Sequence, residues 1–165
     1  MIPVCLATGF LGSGKTTLLQ RIADQRRQQR LVYIVNEFAS IDIDGQRLHL
    51  PEGQMIAIPG GSIFCRCLTG EFIRVLRSVA DRIGEDGSVE GVIIEASGIS
   101  DPGVIRQMLH ETKLDGVYSL RRIISVADPQ NLLKLIHTLP NIVKQIQVSD
   151  QVLLNKTDCY PPDVV

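Results

Sequence analysis

Gly9-Phe10-Leu11-Gly12-Ser13-Gly14-Lys15-Thr16-Thr17 carries residue types that can grip a chain of phosphates. Its spacing, G-x-x-x-x-G-K-[ST], follows the apolar run Pro3-Val4-Cys5-Leu6-Ala7 and opens a helical pattern, the context a phosphate-binding loop (Walker A) requires. Glycines let the backbone wrap so closely that successive N–H groups face phosphate oxygens. In such a loop Lys15 reaches the β- and γ-phosphates and the Thr16 hydroxyl holds Mg²⁺. Gly9, Gly12, Ser13, Gly14 and Thr17 complete the cradle. The expected ligand is a nucleoside triphosphate.

Near the other end, Val152-Leu153-Leu154 runs into Asn155-Lys156-Thr157-Asp158, an N-K-x-D sequence at a strand exit. Guanine offers N1–H and N2–H₂ on one edge, and the Asp158 carboxylate can accept from both. Asn155 is expected to read the opposite edge around O6 and N7, with the Lys156 stem along the ring face. Adenine lacks that donor pair, so a buried Asp158 would stand unpaired against it. GTP and GDP are therefore favoured over adenine nucleotides, with a polar strand-to-loop exit as the plain alternative.

Further chemistry sits at the other strand exits. Glu95-Ala96-Ser97-Gly98 follows an apolar strand, where Glu95 would support Mg²⁺ and the Gly98 amide would sense the γ-phosphate. A capping or ion-paired role for Glu95 is the alternative. Asn36-Glu37-Phe38 ends another strand, and Glu37 is the candidate to position the attacking water; an exposed loop is the competing reading. Cys65 and Cys67 lie in the Gly-rich stretch Gly60-Gly61-Ser62-Ile63-Phe64-Cys65-Arg66-Cys67, just before a helix. Two thiols at C-x-C spacing can face one soft cation such as Zn²⁺, and Arg66 and the helix N-terminus favour their thiolates. Idle thiols are the other reading. Cys5 and Cys159 are read as structural, and four cysteines in a chain of intracellular character argue against a disulfide framework.

Positioning these residues calls for an α/β fold. Apolar runs at 2–8, 31–36, 55–58, 91–96, 121–127 and 151–155 alternate with helical patterns at 14–29, 69–84, 102–112, 129–138 and 141–148. The pattern predicts a three-layer P-loop NTPase fold, a mostly parallel sheet with helices on both faces. Phe72, Ile73, Val75, Leu76, Val79, Ala80 and Ile83 form one helix's apolar stripe. Asp101-Pro102 and Asp128-Pro129 each place a capping carboxylate before a first-turn proline. One domain over residues 1–165 is expected. With 44% apolar residues, 21% charged and net charge −1, no nucleic-acid or membrane footprint appears. The basic cluster Arg26-Arg27 to Arg30 reads as a solvated helix end. A cytoplasmic protein is expected.

Taken together the motifs resemble the CobW-type family of metal-chaperone GTPases, relatives of the nickel-insertion GTPases. The resemblance rests on Gly9 to Thr17, Asn36-Glu37-Phe38, Ile43-Asp44-Gly45, Glu95-Ala96-Ser97-Gly98 with Asp101-Pro102, and Asn155 to Asp158. It implies a Mg²⁺-dependent GTPase, slow alone, whose nucleotide state controls delivery of Zn²⁺, Co²⁺ or Ni²⁺ to a metalloenzyme or a cobalamin-type cofactor pathway. Two departures stand out. The family's G-C-x-C-C motif aligns with Gly61-Ser62-Ile63-Phe64-Cys65, so only Cys65 matches a family cysteine and Cys67 is additional. Ala39 and Asp42 stand where the family has glycine. Family members continue past N-K-x-D, so the GTPase half of a longer protein is the expectation. No arginine finger is evident in cis, which leaves room for a partner or a homodimer to complete the site. A GTPase serving a non-metal client, and an ATP-using kinase, are the rival readings.

Overall fold

The computed structural model describes residues 1–37, 54–86 and 89–161, with the backbone alone for 37 and 83–86. In these described residues six strands form one sheet: β1 (Ile2–Thr8), β2 (Leu31–Glu37), β3 (Met55–Pro59), β4 (Gly91–Glu95), β5 (Tyr118–Ala127) and β6 (Gln151–Leu154). Their order is β3-β2-β4-β1-β5-β6, and every pairing is parallel. The sheet is thus wholly rather than mostly parallel among the described residues. Among the described residues five α-helices connect the strands: α1 (Lys15–Gln25), α2 (Thr69–Asp86), α3 (Val104–Glu111), α4 (Pro129–Leu135) and α5 (Pro140–Gln147).

Strand alternation sorts the core into layers. Val4, Leu6, Val32, Ile34, Val92 and Ile94 pack with Phe72, Leu76 and Val79 of α2 and Ile105, Met108 and Leu109 of α3. The intervening residues Ala7, Tyr33, Val35 and Ile93 point the other way, onto Leu19 and Ala23 of α1. Continuous apolar runs are the consequence of this double covering. Each fully buried aliphatic or aromatic side chain contributes roughly 1.5–3 kcal/mol. A third cluster joins Phe10 and Ala127 to Ile142 of α5.

Element boundaries differ from the sequence expectation where burial ends. Helix α1 stops at Gln25 rather than residue 29 because Arg26–Gln29 are exposed and have no face to bury. Strand β5 starts at Tyr118 rather than 121: Tyr118 pairs with Ile2, and its buried hydroxyl donates to the Leu76 carbonyl at 2.5 Å. Helices α3 and α4 are shorter than read. Asp128 caps α4 as expected, accepting the Asn131 N–H at 3.3 Å with Pro129 following. Asp101 instead accepts from Gly103 N–H at 3.0 Å, closing the turn before α3 rather than capping the helix itself.

The connection from β1 leads toward β2, while that from β4 leads across β1 to β5. The carboxyl ends of β1 and its neighbours therefore flank a reversal of winding, where open parallel sheets hold ligands. Phe38 and the Ile43-Asp44-Gly45 segment, with Ala39 and Asp42, lie outside the described residues.

Candidate functional site

The chain leaves β1 through a loop whose left-handed residues are Gly9, Gly12 and Gly14 (φ 133°, 74° and 102°). Gly14 is the N-cap of α1, and a side chain there would run into the Asn155 amide as well as straining the backbone. Lys15 begins the helix and is buried at 6% exposure. Its ammonium folds back onto the loop, donating to the Gly9 and Phe10 carbonyls at 3.0 and 3.1 Å. Burial lowers the Lys15 pKa from its ordinary 10.5, with the Glu95 carboxylate opposing the shift. The hydroxyls of Thr8 and Ser13 are fully buried and have no partner among the described residues. Unpaired buried hydroxyls are rare, and donors of this kind at a glycine-rich loop suit an anionic ligand.

Thr16 and Glu95 meet across the sheet. The Thr16 hydroxyl donates to the two Glu95 carboxylate oxygens at 3.0 and 3.3 Å, with Glu95 itself buried at the end of β4. A hydroxyl and a carboxylate are the oxygen donors a hard cation takes, so these residues fit Mg²⁺. Gly98 follows three residues on, pressed against the phosphate loop. A Cβ there would lie 2.6 Å from the Leu11 amide nitrogen, so only glycine permits this approach. Thr17 is exposed on the first turn of α1.

The N-K-x-D turn is fastened to the same loop. Asn155 Nδ2 donates to the Ser13 carbonyl at 2.9 Å across 142 positions of sequence, and Lys156 Nζ donates to the Gly12 carbonyl at 2.7 Å. Lys156, left-handed at φ 60°, also pairs with Asp128 at 3.4 Å. The Asn155 amide nitrogen thus ties loop to loop, with one of its two N–H donors engaged by the Ser13 carbonyl. Asp158 is exposed in the turn Thr157–Cys159. Asp128 is only 1% exposed. Burial alone would raise its pKa, but hydrogen bonds from Tyr160, Asn131 and Lys156 and the Lys156 charge bring it below the usual value.

Asn36 does not reach the phosphate loop. It is buried and holds the segment before the cysteines, donating to Ile58 and Gly61 carbonyls (3.2 and 2.8 Å) and accepting from Ile63 N–H (2.9 Å). Glu37 is the last residue of β2. Cys65 and Cys67, read from their spacing as two thiols able to face one cation, have their sulfurs joined as a disulfide, with Cα atoms 5.4 Å apart. The reason is local, since a tight turn before α2 brings C-x-C side chains within bonding reach. Among the described residues no cluster of three or more His, Cys, Asp or Glu is placed to hold a metal. Cys5 is partly buried in β1, whereas Cys159 is exposed.

Two contributors escape a reading of sequence alone. Gln145 of α5, buried at 1% exposure, donates to the Gly98 and Ser100 carbonyls at 3.1 and 3.0 Å. Its only signal is a polar residue three positions after Ile142 on that helix's apolar face. Asp128 looked like a helix cap, and nothing local announced that Lys156 would also rest on it.

Fold and site together define a P-loop nucleoside-triphosphate-binding protein. The glycine loop, its buried lysine and the Thr16–Glu95 pair converge at the carboxyl edge of a parallel sheet. The chain belongs to the CobW/HypB/UreG family, whose nucleotide-binding-domain model matches residues 3–164. It is 32% identical over 161 residues to the zinc chaperone YjiA of Escherichia coli (strain K12), covering 95% of this chain and 50% of that protein. The zinc-regulated GTPase metalloprotein activator 1 of Schizosaccharomyces pombe (strain 972) is 30% identical over 176 residues, covering 95% of this chain and 39% of that protein. The crystal structure of Zn(II)-bound YjiA GTPase from E. coli matches with a TM-score of 0.68 at 29% identity, over 96% of this chain and 50% of that one. The chain spans half or less of the length of these relatives. Among the described residues no helix is long and apolar enough to cross a membrane.

Proposed function

We propose that this chain binds GTP and hydrolyses it with Mg²⁺, as a nucleotide-dependent switch in the delivery of a metal or of a cobalamin-type metallocofactor. The observation that carries the reading is the pair of hydrogen bonds from Asn155 and Lys156 to Ser13 and Gly12. They set a guanine-reading turn at a fixed distance from a phosphate loop, so one ligand spans both. Lys15 supplies positive charge at the β- and γ-phosphates, and the backbone of Gly9, Gly12, Ser13 and Gly14 donates around them. Thr16 and Glu95 hold Mg²⁺, which when bound neutralises developing phosphate charge. Gly98 donates its amide to the γ-phosphate, Glu37 orients the attacking water, and Asp158 accepts from the guanine edge.

The delivery role is supported by relatives named as zinc chaperones and metalloprotein activators, and Zn²⁺ is accordingly the first cargo to test ahead of Co²⁺ or Ni²⁺. A metalloenzyme client, a homodimer that completes the site and a cytoplasmic location belong to the same reading. The reading of a GTPase without metal cargo is favoured by the sulfur–sulfur bond at Cys65 and Cys67, which withdraws both ligands while it persists.

Calorimetric titration with GTP, ATP and Zn²⁺ in turn tests the proposal. Micromolar GTP binding with at least tenfold weaker ATP is expected. Asp158→Asn should lower GTP affinity by about tenfold or more and raise that for xanthosine triphosphate, a change on the order of 1–3 kcal/mol for a displaced hydrogen-bonded pair. An unchanged preference in that variant removes Asp158 from base recognition.

A further inference from the structure

A row of hydroxyl groups runs from the phosphate-sensing segment to the cysteine turn. Ser97 Oγ lies 2.8 Å from Ser100 Oγ, which lies 2.7 Å from Ser62 Oγ. Ser62 Oγ in turn accepts the Phe64 N–H at 3.2 Å. Ser97 and Ser100 are buried, so displacement at one end leaves a hydroxyl without a partner unless the other end follows. Both ends are held. Gln145 grips the Gly98 and Ser100 carbonyls, and Asn36 grips the backbone of Ile58, Gly61 and Ile63.

At the far end the Cys65 backbone is pinned between Ser62 and α2. Its N–H donates to the Ser62 carbonyl at 2.9 Å, and its carbonyl accepts from the Leu68 and Thr69 amides and the Thr69 hydroxyl. Its sulfur is bonded to that of Cys67, an exposed residue that small reagents can reach. Arg66 between them and the N-terminus of α2 favour a thiolate once the bond opens. The bond therefore sits on the surface while its supporting turn is wired inward.

We propose that Cys65 and Cys67 are a redox-active dithiol–disulfide pair that exchanges with small thiols and disulfides, and that Ser62, Ser100 and Ser97 transmit its state to the segment at Gly98. Oxidation forms the Cys65 Sγ–Cys67 Sγ bond. Two protons and two electrons leave the thiols, and the S–S bond of the small disulfide is cleaved to two thiols. Reduction is the reverse and returns two thiols, which on losing their protons can take a soft cation. The transmission half rests on the GTP reading above, whereas the exchange half does not. The serines are positioning residues, acting on nucleotide affinity through Gly98.

The experiment has two arms. The chain is equilibrated in glutathione buffers of graded oxidised fraction, quenched, alkylated and mapped by peptide mass to separate this pair from Cys5 and Cys159. An intramolecular Cys65–Cys67 bond that dithiothreitol reverses is expected. Free alkylation of both at every ratio, or only mixed glutathione adducts, overturns the pair. The second arm measures a fluescent-labelled GTP analogue on oxidised and reduced protein, where a difference of about fivefold or more is expected. Ser62→Ala, Ser100→Ala and Cys67→Ser should each bring the two affinities together. Equal affinities in the unaltered chain, or a difference that survives both serine changes, overturns the transmission. Absence of GTP binding in both states defeats the GTP reading and the transmission with it, while the mass map still decides the pair.

Discussion

Lys15 shows how one buried charge ties pH to ligand. Burial lowers its pKa, and a triphosphate alongside restores the charged form, so nucleotide binding raises the pKa again. Binding is then fully supported below the free-state pKa and is lost as pH rises through the bound-state value. GTP affinity should decline on the alkaline side at a pH below that of an ordinary lysine, and proton uptake on binding should be seen by calorimetry in buffers of differing ionisation heat. A pH-independent affinity through that range would remove Lys15 from the phosphate contacts. Gly98 makes a steric prediction at the same scale. Gly98→Ala sets a methyl 2.6 Å from the Leu11 nitrogen, pushing two loops apart. Overpacking of this kind costs about 1–3 kcal/mol, so thermal unfolding should shift down and GTP turnover should fall further than GTP affinity.

Among the elements, α4 and the N-K-x-D turn share a foundation. Asp128 caps α4 through Asn131 and pairs with Lys156, which itself reaches Gly12 of the phosphate loop. Asp128→Ala should destabilise the chain by about 0.5–2 kcal/mol from the lost cap, and weaken GTP binding in addition because Lys156 loses its seat. Denaturant midpoints and GTP titration of the same preparation separate the two effects. The acid limb has a definite sign. The folded pKa of Asp128 is depressed below its ordinary 3.8, so its contribution is present above that value and is lost as pH falls through the folded one. Stability of the alanine variant should accordingly depend less on pH in that acid range than that of the parent chain. Element limits follow the same physics of burial: α1 ends where Arg26 and its polar successors have nothing to cover, and β5 starts early because Tyr118 finds Leu76.

For the molecule as a whole, stability rests on the cluster linking α2 and α3 to residues of five strands. Phe72 is fully buried in it and meets Phe64 edge to face at 6.0 Å. Phe72→Ala should cost about 3–5 kcal/mol, read as a lower urea midpoint with an unchanged slope. Because Phe64 precedes Cys65, the same cavity should loosen the cysteine turn as well. What the amino-acid order settled by itself was local and periodic. Gly9 to Thr16 announce a phosphate loop because a left-handed glycine wrap needs those residues in a row, and apolar runs announce strands covered on both faces. Asn155 to Asp158 are likewise legible as a turn that follows a strand. Tertiary structure alone decided the rest, since hydrogen bonds between distant loops leave no periodic trace. It placed the Asn155 amide on Ser13, rested Lys156 on Asp128, sent Asn36 to the cysteine turn and buried Gln145 beneath Gly98. It also brought Cys65 to Cys67 as a bonded pair, where spacing alone left a shared cation or idle thiols and composition argued against a disulfide, because only the turn's backbone path decides whether two sulfurs meet.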